Sequence, residues 1–152
     1  MHETLELLGA FPARLDEITA GLSETELRQP EKEGKWSVHD VVAHLADLEL
    51  VYAVRIRTIL SGAAGDAPLP ALAQDAWVQN VHRREPLGEL LEQFVFDRAR
   101  NLALVRRLTD AELARTGRHP QYGEITIPMA LDRLKNHDAK HFAQIERIRR
   151  SI

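Results

Sequence analysis

Ser37-Val-His-Asp-Val-Val-Ala-His44-Leu-Ala-Asp47-Leu-Glu-Leu-Val-Tyr52-Ala-Val-Arg-Ile-Arg-Thr-Ile59-Leu60 reads as one long amphipathic helix. Val38, Val41, Val42, Leu45, Leu48, Val51 and Ile59 recur at helical spacing and make a broad apolar face. Ser37 is placed to cap its start, with Asp40 three positions on. Upstream, Leu5, Leu8, Phe11, Leu15, Ile18 and Leu22 keep the same period, predicting a helix over Leu5 to Leu22. Pro12 falls inside it, so that helix is expected either to kink or to start late. The connection from Gly21 to Lys35 is polar, and Ser23-Glu-Thr-Glu within it suits the cap of a short turn.

Downstream, Gly62-Ala-Ala-Gly-Asp-Ala-Pro-Leu-Pro opens a crossover, with a short helical piece expected around Gln74 to Asn80. Pro86 starts a third helix whose inward residues are Leu87, Leu90, Leu91, Phe94, Val95, Leu102, Val105 and Leu108. After Thr109, a polar stretch through Arg118-His119-Pro120-Gln-Tyr-Gly123 leads to Thr126-Ile-Pro128 and a last helix. Its inward stripe is Ile127, Leu131, Leu134, His137 or Asp138, His141, Ile145 and Ile148. No strand-length alternating segment competes. The expected fold is all-α, an antiparallel four-helix bundle with one long crossover, formed as a single domain over residues 1–152.

The composition narrows the function. A chain of 152 residues, 44% hydrophobic and 28% charged, is long enough to bury one sizeable core. Its formal charge of -3 argues against a dedicated nucleic-acid binder, which would present a strongly basic face. Without cysteine there is no disulfide, no thiolate metal cage and no thiol nucleophile of its own. The first residues lack the basic-then-apolar order of a signal peptide, and no apolar run reaches membrane-spanning length, so a cytoplasmic protein is expected.

Three histidines fall on inward faces: His44 on the second helix, His137 and His141 on the last. Imidazole carries a donor and an acceptor that both need partners, so three in a core point to a shared one. His137 and His141 are four residues apart and project from successive turns, able to grip one ion together. His44 supplies a third ligand if the helices are neighbours. Three neutral imidazoles leave coordination positions open, as in a catalytic zinc, nickel or iron site.

Two motifs carry a resemblance: Trp36-Ser-Val-His-Asp-Val-Val-Ala-His44-Leu-Ala-Asp47-Leu-Glu49, and Asn136-His137-Asp-Ala-Lys-His141-Phe-Ala-Gln144-Ile. Together they resemble the anchoring motifs of the DinB/YfiT-like superfamily of small four-helix bundles, over nearly the whole chain. The resemblance implies a metal triad on His44, His137 and His141. It also implies a metal-dependent hydrolase or transferase acting on a small molecule, in some members with a low-molecular-weight thiol as cofactor. Homodimerisation is expected on the same ground, with Val54 and Ile56 read as off the main stripe of their helix. The competing reading is a non-catalytic binding or stress-response module in which the metal is structural.

Around the triad, Asp47 reads either as a carboxylate that orients a ligand or a bound nucleophile, or as an exposed helix residue. Asp138 is expected to face solvent. Arg98, on the inward stripe of the third helix, reads as a buried ion pair or snorkelling side chain before it reads as a substrate anchor. His2, His39, His82 and His119 are expected to be solvated. Trp36 is expected to staple the preceding loop and roof the pocket, and Tyr52 and Trp77 are candidates to line it.

Overall fold

The computed structural model describes residues 1–63 and 65–152; Ala64, in the expected crossover, lies outside the described residues. The chain runs α1 (His2–Thr19), α2 (Glu24–Arg28), α3 (Val38–Ser61), α4 (Gln74–Asn80), α5 (Leu87–Val105), α6 (Asp110–Leu113), β1 (Thr116–His119), β2 (Gly123–Thr126) and α7 (Ile127–Arg149). Local chemistry sets the starts of several helices. Ser37 accepts from the Asp40 amide while the Asp40 carboxylate accepts from the Ser37 amide, a reciprocal box that Ser23 with Glu26 and Thr109 with Glu112 repeat. Gly62, left-handed at φ 67°, ends α3. The expected third helix stops at Val105, short of Leu108, and α1 stops at Thr19, short of Leu22.

The four long helices form the bundle. α1 packs against α5 and α7, and α3 packs against α5 and α7. Side-chain pairs give the directions. Tyr52 meets Ala130 while His44 meets His137, so α3 and α7 run antiparallel. Phe11 meets Phe94 and Leu8 meets Arg98, so α1 and α5 do too. The crossover returns the chain so that α5 runs alongside α3 in the same direction, with His39 near Glu85 and Glu49 near Asn101.

Pro12 leaves α1 continuous. A proline amide cannot donate to the carbonyl four residues back, which here is Leu8, and Arg98 Nη1 donates to that oxygen instead at 2.9 Å. Arg98 is 1% exposed and also reaches Asp138 Oδ2 and Glu49 Oε1, each at 2.8 Å. Asn101 Nδ2 donates to the backbone oxygen of Glu49 at 3.0 Å and to its Oε2 at 3.1 Å. One polar layer thus ties α1, α3, α5 and α7 together, between an apolar cluster around Leu8, Tyr52 and Leu134 and another around Phe11, Phe94 and Ile145. Asp138 therefore does not face solvent: it is buried against Arg98 because a charged stripe-edge residue finds its partner on another helix.

Other expectations are corrected. β1 and β2 pair antiparallel with Thr116 opposite Thr126 and His119 opposite Gly123, a hairpin too short to show an alternating pattern. Gly117 lets it close on the bundle, since a Cβ there would stand 2.8 Å from Ile59 Cγ1. Leu69 of the crossover donates to the Arg118 carbonyl at 2.8 Å and seals the same edge. Val95 is exposed, one residue round the helix from buried Phe94. Ile56 is 1% exposed and belongs to the core, whereas Val54 is 47% exposed. Among the described residues, no helix is long and apolar enough to cross a membrane.

Candidate metal centre

The antiparallel pairing of α3 with α7 brings together what lies 93 residues apart in sequence. His44 sits on the second turn of α3, behind the Ser37 cap, and meets His137 and His141 of α7. His137 Nε2 lies 3.1 Å from His44 Nε2 and 3.1 Å from His141 Nε2. Two nitrogens each about 2.0–2.1 Å from a tetrahedral ion stand roughly 3.3 Å apart, so this spacing matches ligands converging on a common centre. The three ligand atoms all lie within 4.8 Å of one another.

The surroundings favour ligation over protonation. Burial, then the neighbouring imidazoles and Lys140, lowers His44 to about 3 and His137 to about 2. Burial also lowers His141, against a hydrogen bond to Gln144. All three are neutral at neutral pH, the form that binds a metal. His141 Nδ1 donates to Gln144 Oε1 at 2.8 Å, which fixes its tautomer and frees the Nε2 lone pair. The sequence places Gln144 three residues after His141, one turn along the same face, and that spacing is the signal for its role. Trp36 packs its ring on His44 at 5.0 Å and stacks over His141 at 6.1 Å, but it does not line the cavity these rings open into, so it covers the two imidazoles and not the pocket it was expected to roof.

The three imidazoles open into a cavity of about 820 Å³ between α3, α7, the crossover and the hairpin tip. Leu48, Tyr52 and Arg55 line it from α3, Arg133, Asn136 and Lys140 from α7, and His119, Gln121 and Tyr122 from the hairpin. Tyr52 is thus a wall residue, its hydroxyl donating to the Ala130 carbonyl at 3.2 Å. Trp77 is half-buried on α4 and does not line this cavity. Of the wall, Arg55, Arg133, Lys140 and the hairpin residues had no sequence signal of a site, because crossover and hairpin deliver them by tertiary packing.

Asp47, one turn beyond His44, is buried and accepts from His82 Nε2 at 2.8 Å. His82 Nδ1 bonds Glu85 Oε2 in turn. Burial opposes the charge on His82, but its hydrogen bonds to Glu85 and Asp47 carry its pKa above the ordinary value. Burial raises the Asp47 carboxyl, partly offset by His82. The expectation of solvated histidines fails for His39, His82 and His119, which are all buried. His39 Nε2 lies 2.8 Å from the Glu85 carbonyl, and His119 Nδ1 accepts from the Gln121 amide at 3.1 Å. These rings sit where the crossover and hairpin cover the bundle, a covering invisible to helix periodicity. His2 alone of the four is exposed.

The sequence profile of the DinB superfamily matches residues 7–145. The chain belongs to the DinB superfamily. Among its relatives is OB0413 of Oceanobacillus iheyensis, whose name proposes a metal-dependent hydrolase; the two are 27% identical over 96% of this chain and 83% of that protein. YfiT of Bacillus subtilis is 29% identical over 97% of this chain and 83% of its own length. The solved structure of YfiT, described as a probable metal-dependent hydrolase with an unusual four-helix bundle topology, superposes with a TM-score of 0.87 at 26% identity, over 98% of this chain and 85% of YfiT. The mycothiol-dependent maleylpyruvate isomerase shares the DinB bundle alone, with a TM-score of 0.77 at 13% identity over 95% of this chain and 60% of that one.

Proposed function

We propose that this chain is a metal-dependent hydrolase of a small molecule, holding one divalent ion on His44, His137 and His141. The observation that carries the reading is the convergence of three neutral Nε2 atoms at the floor of an open cavity. Zinc, nickel and iron all suit a three-imidazole set. When bound, such an ion supplies Lewis acidity, lowering the pKa of a nucleophile beside it and polarising an electrophile. The chain's own residues do the rest. Gln144 holds the His141 ring in its ligating tautomer, Trp36 keeps bulk water off the far side of His44 and His141, and the cavity walls orient the substrate.

We read Asp47 as a positioning residue: through its bond to His82 it pins α3, one turn after His44, to the segment following α4. Turnover of activated esters by the metal-loaded protein tests the function. Chelation should abolish it and resupplied metal restore it, while full activity of the metal-free protein would overturn the reading. A low-molecular-weight thiol in a parallel arm reads S-transfer, for which a chain without cysteine must take its thiol from outside. Absence of turnover in both arms favours the non-catalytic module. Asp47→Asn should slow turnover about tenfold or more and displace its pH profile with metal content nearly unchanged. An unaltered rate and profile would leave Asp47 only a structural tie.

We also propose a homodimer through the outer face of α3, where Leu50 and Val54 stand exposed one turn apart. Sedimentation showing only monomer at micromolar concentration would overturn it.

A further inference from the structure

Among the described residues two arginines are buried, Arg55 and Arg98, and their surroundings differ. Arg98 is flanked by Glu49 and Asp138, each 2.8 Å away. Arg55 is 7% exposed, yet among the described residues it forms no ion pair. Its Nε donates to the Pro70 carbonyl at 2.9 Å and its guanidinium lies 5.4 Å from the Tyr52 ring centroid, which leaves the far end of the fork for the cavity it lines. A guanidinium stays charged when buried, so a site that shelters one without a carboxylate lacks half of an ion pair.

The rest of the cavity has the same sign. Arg133 and Lys140 stand at its mouth; among the described residues neither forms an ion pair and no aspartate or glutamate lines the cavity, although the chain as a whole carries a net -3. Arg133 lies over the Tyr122 ring at 3.7 Å, which holds it at the hairpin rim. His119 accepts at Nδ1 from the Gln121 amide, so its proton sits on Nε2 and it adds a donor to the wall. Cations lining a concave, low-dielectric wall concentrate the opposite charge there.

We infer that the substrate carries an oxyanion, a carboxylate or a phosphate, which docks on Arg55 in the depth of the cavity after passing Arg133 and Lys140. Arg55 lies eleven residues beyond His44 on the same face of α3, about 16 Å along the axis. The oxyanion is therefore a handle set apart from the reacting bond, at the Arg55 end of the cavity that the three imidazoles share. This inference rests on the hydrolase reading for the word substrate, but the anion subsite stands on Arg55 itself.

Calorimetric titration of the metal-loaded full chain with hexanoate, inorganic phosphate and the neutral isostere hexanamide tests it, with metal content measured in parallel. At least one of the two anions should bind roughly tenfold to a hundredfold more tightly than hexanamide, the range a charge-assisted pair supplies. Hexanoate ahead assigns a carboxylate and phosphate ahead assigns a phosphate. Arg55→Gln should erase the preference and leave metal content unchanged. Should Arg55→Gln fail to fold, the double variant R133Q/K140Q must weaken both anions and leave hexanamide alone. Equal affinity of the wild type for anions and amide, or anion binding untouched by the variants, overturns the subsite. Anion selectivity in a protein that takes up no metal would instead overturn the hydrolase reading and leave the subsite standing.

Discussion

His137→Ala and His141→Ala proteins, loaded with zinc and freed of excess, are expected to retain a small fraction of the metal that the wild type holds at about one equivalent. Each substitution removes one of three converging nitrogens, and the two imidazoles left, one on α3 and one on α7, no longer enclose an ion. Elemental analysis reads the outcome, and equal metal in all three proteins would remove the assignment. The same site makes a pH prediction for the metal-free protein. Folded His137 titrates at about 2, an unfolded histidine near 6.5. Between those values the unfolded chain takes up a proton that the folded site refuses, so acid favours unfolding, and the loss stops only once the folded imidazole protonates too. Wild-type stability should therefore fall relative to His137→Leu by about 1 kcal/mol for each pH unit below 6.5. Urea unfolding at successive pH values measures the difference, and a constant difference from pH 6.5 to 4 would contradict the buried, neutral state of His137.

Arg98→Met should cost roughly 3–5 kcal/mol, the loss expected when one member of a buried ionic set is removed and its partners are left buried without it. Glu49 and Asp138 would be left facing each other without a cation, and the Leu8 carbonyl would lose the Arg98 donor that stands in for the amide Pro12 lacks. The triple change Glu49→Leu, Arg98→Met, Asp138→Leu removes charge and partner together, and should recover most of that loss. Urea midpoints of the two variants make the comparison. A single variant within about 1 kcal/mol of wild type would mean that water or relaxation reaches the layer, contrary to its burial.

Both predictions also mark where sequence reading stopped. The helices were legible because their causes are local: a three- and four-residue apolar period, the Ser37 and Asp40 box, and the short piece at Gln74–Asn80 between punctuating residues. The metal-ligating candidates were legible for the same reason, since one helix face places His137 above His141 and the apolar stripe includes His44. What depended on partners distant in the chain was not legible. Asp138 read as a solvated stripe edge, and only the meeting of α3, α5 and α7 turned it, with Glu49 and Arg98, into a buried ionic layer. His39, His82 and His119 read as surface residues, and only the crossover and hairpin buried them. Arg55 was one more charge on a long helix until the walls around it proved, among the described residues, to hold no carboxylate. Periodicity and capping are decided within a few residues, so the sequence by itself determined the helices and the faces on which its candidate ligands stand. Charge burial and cavity walls are decided by whichever element lands opposite, and that the tertiary structure alone supplied.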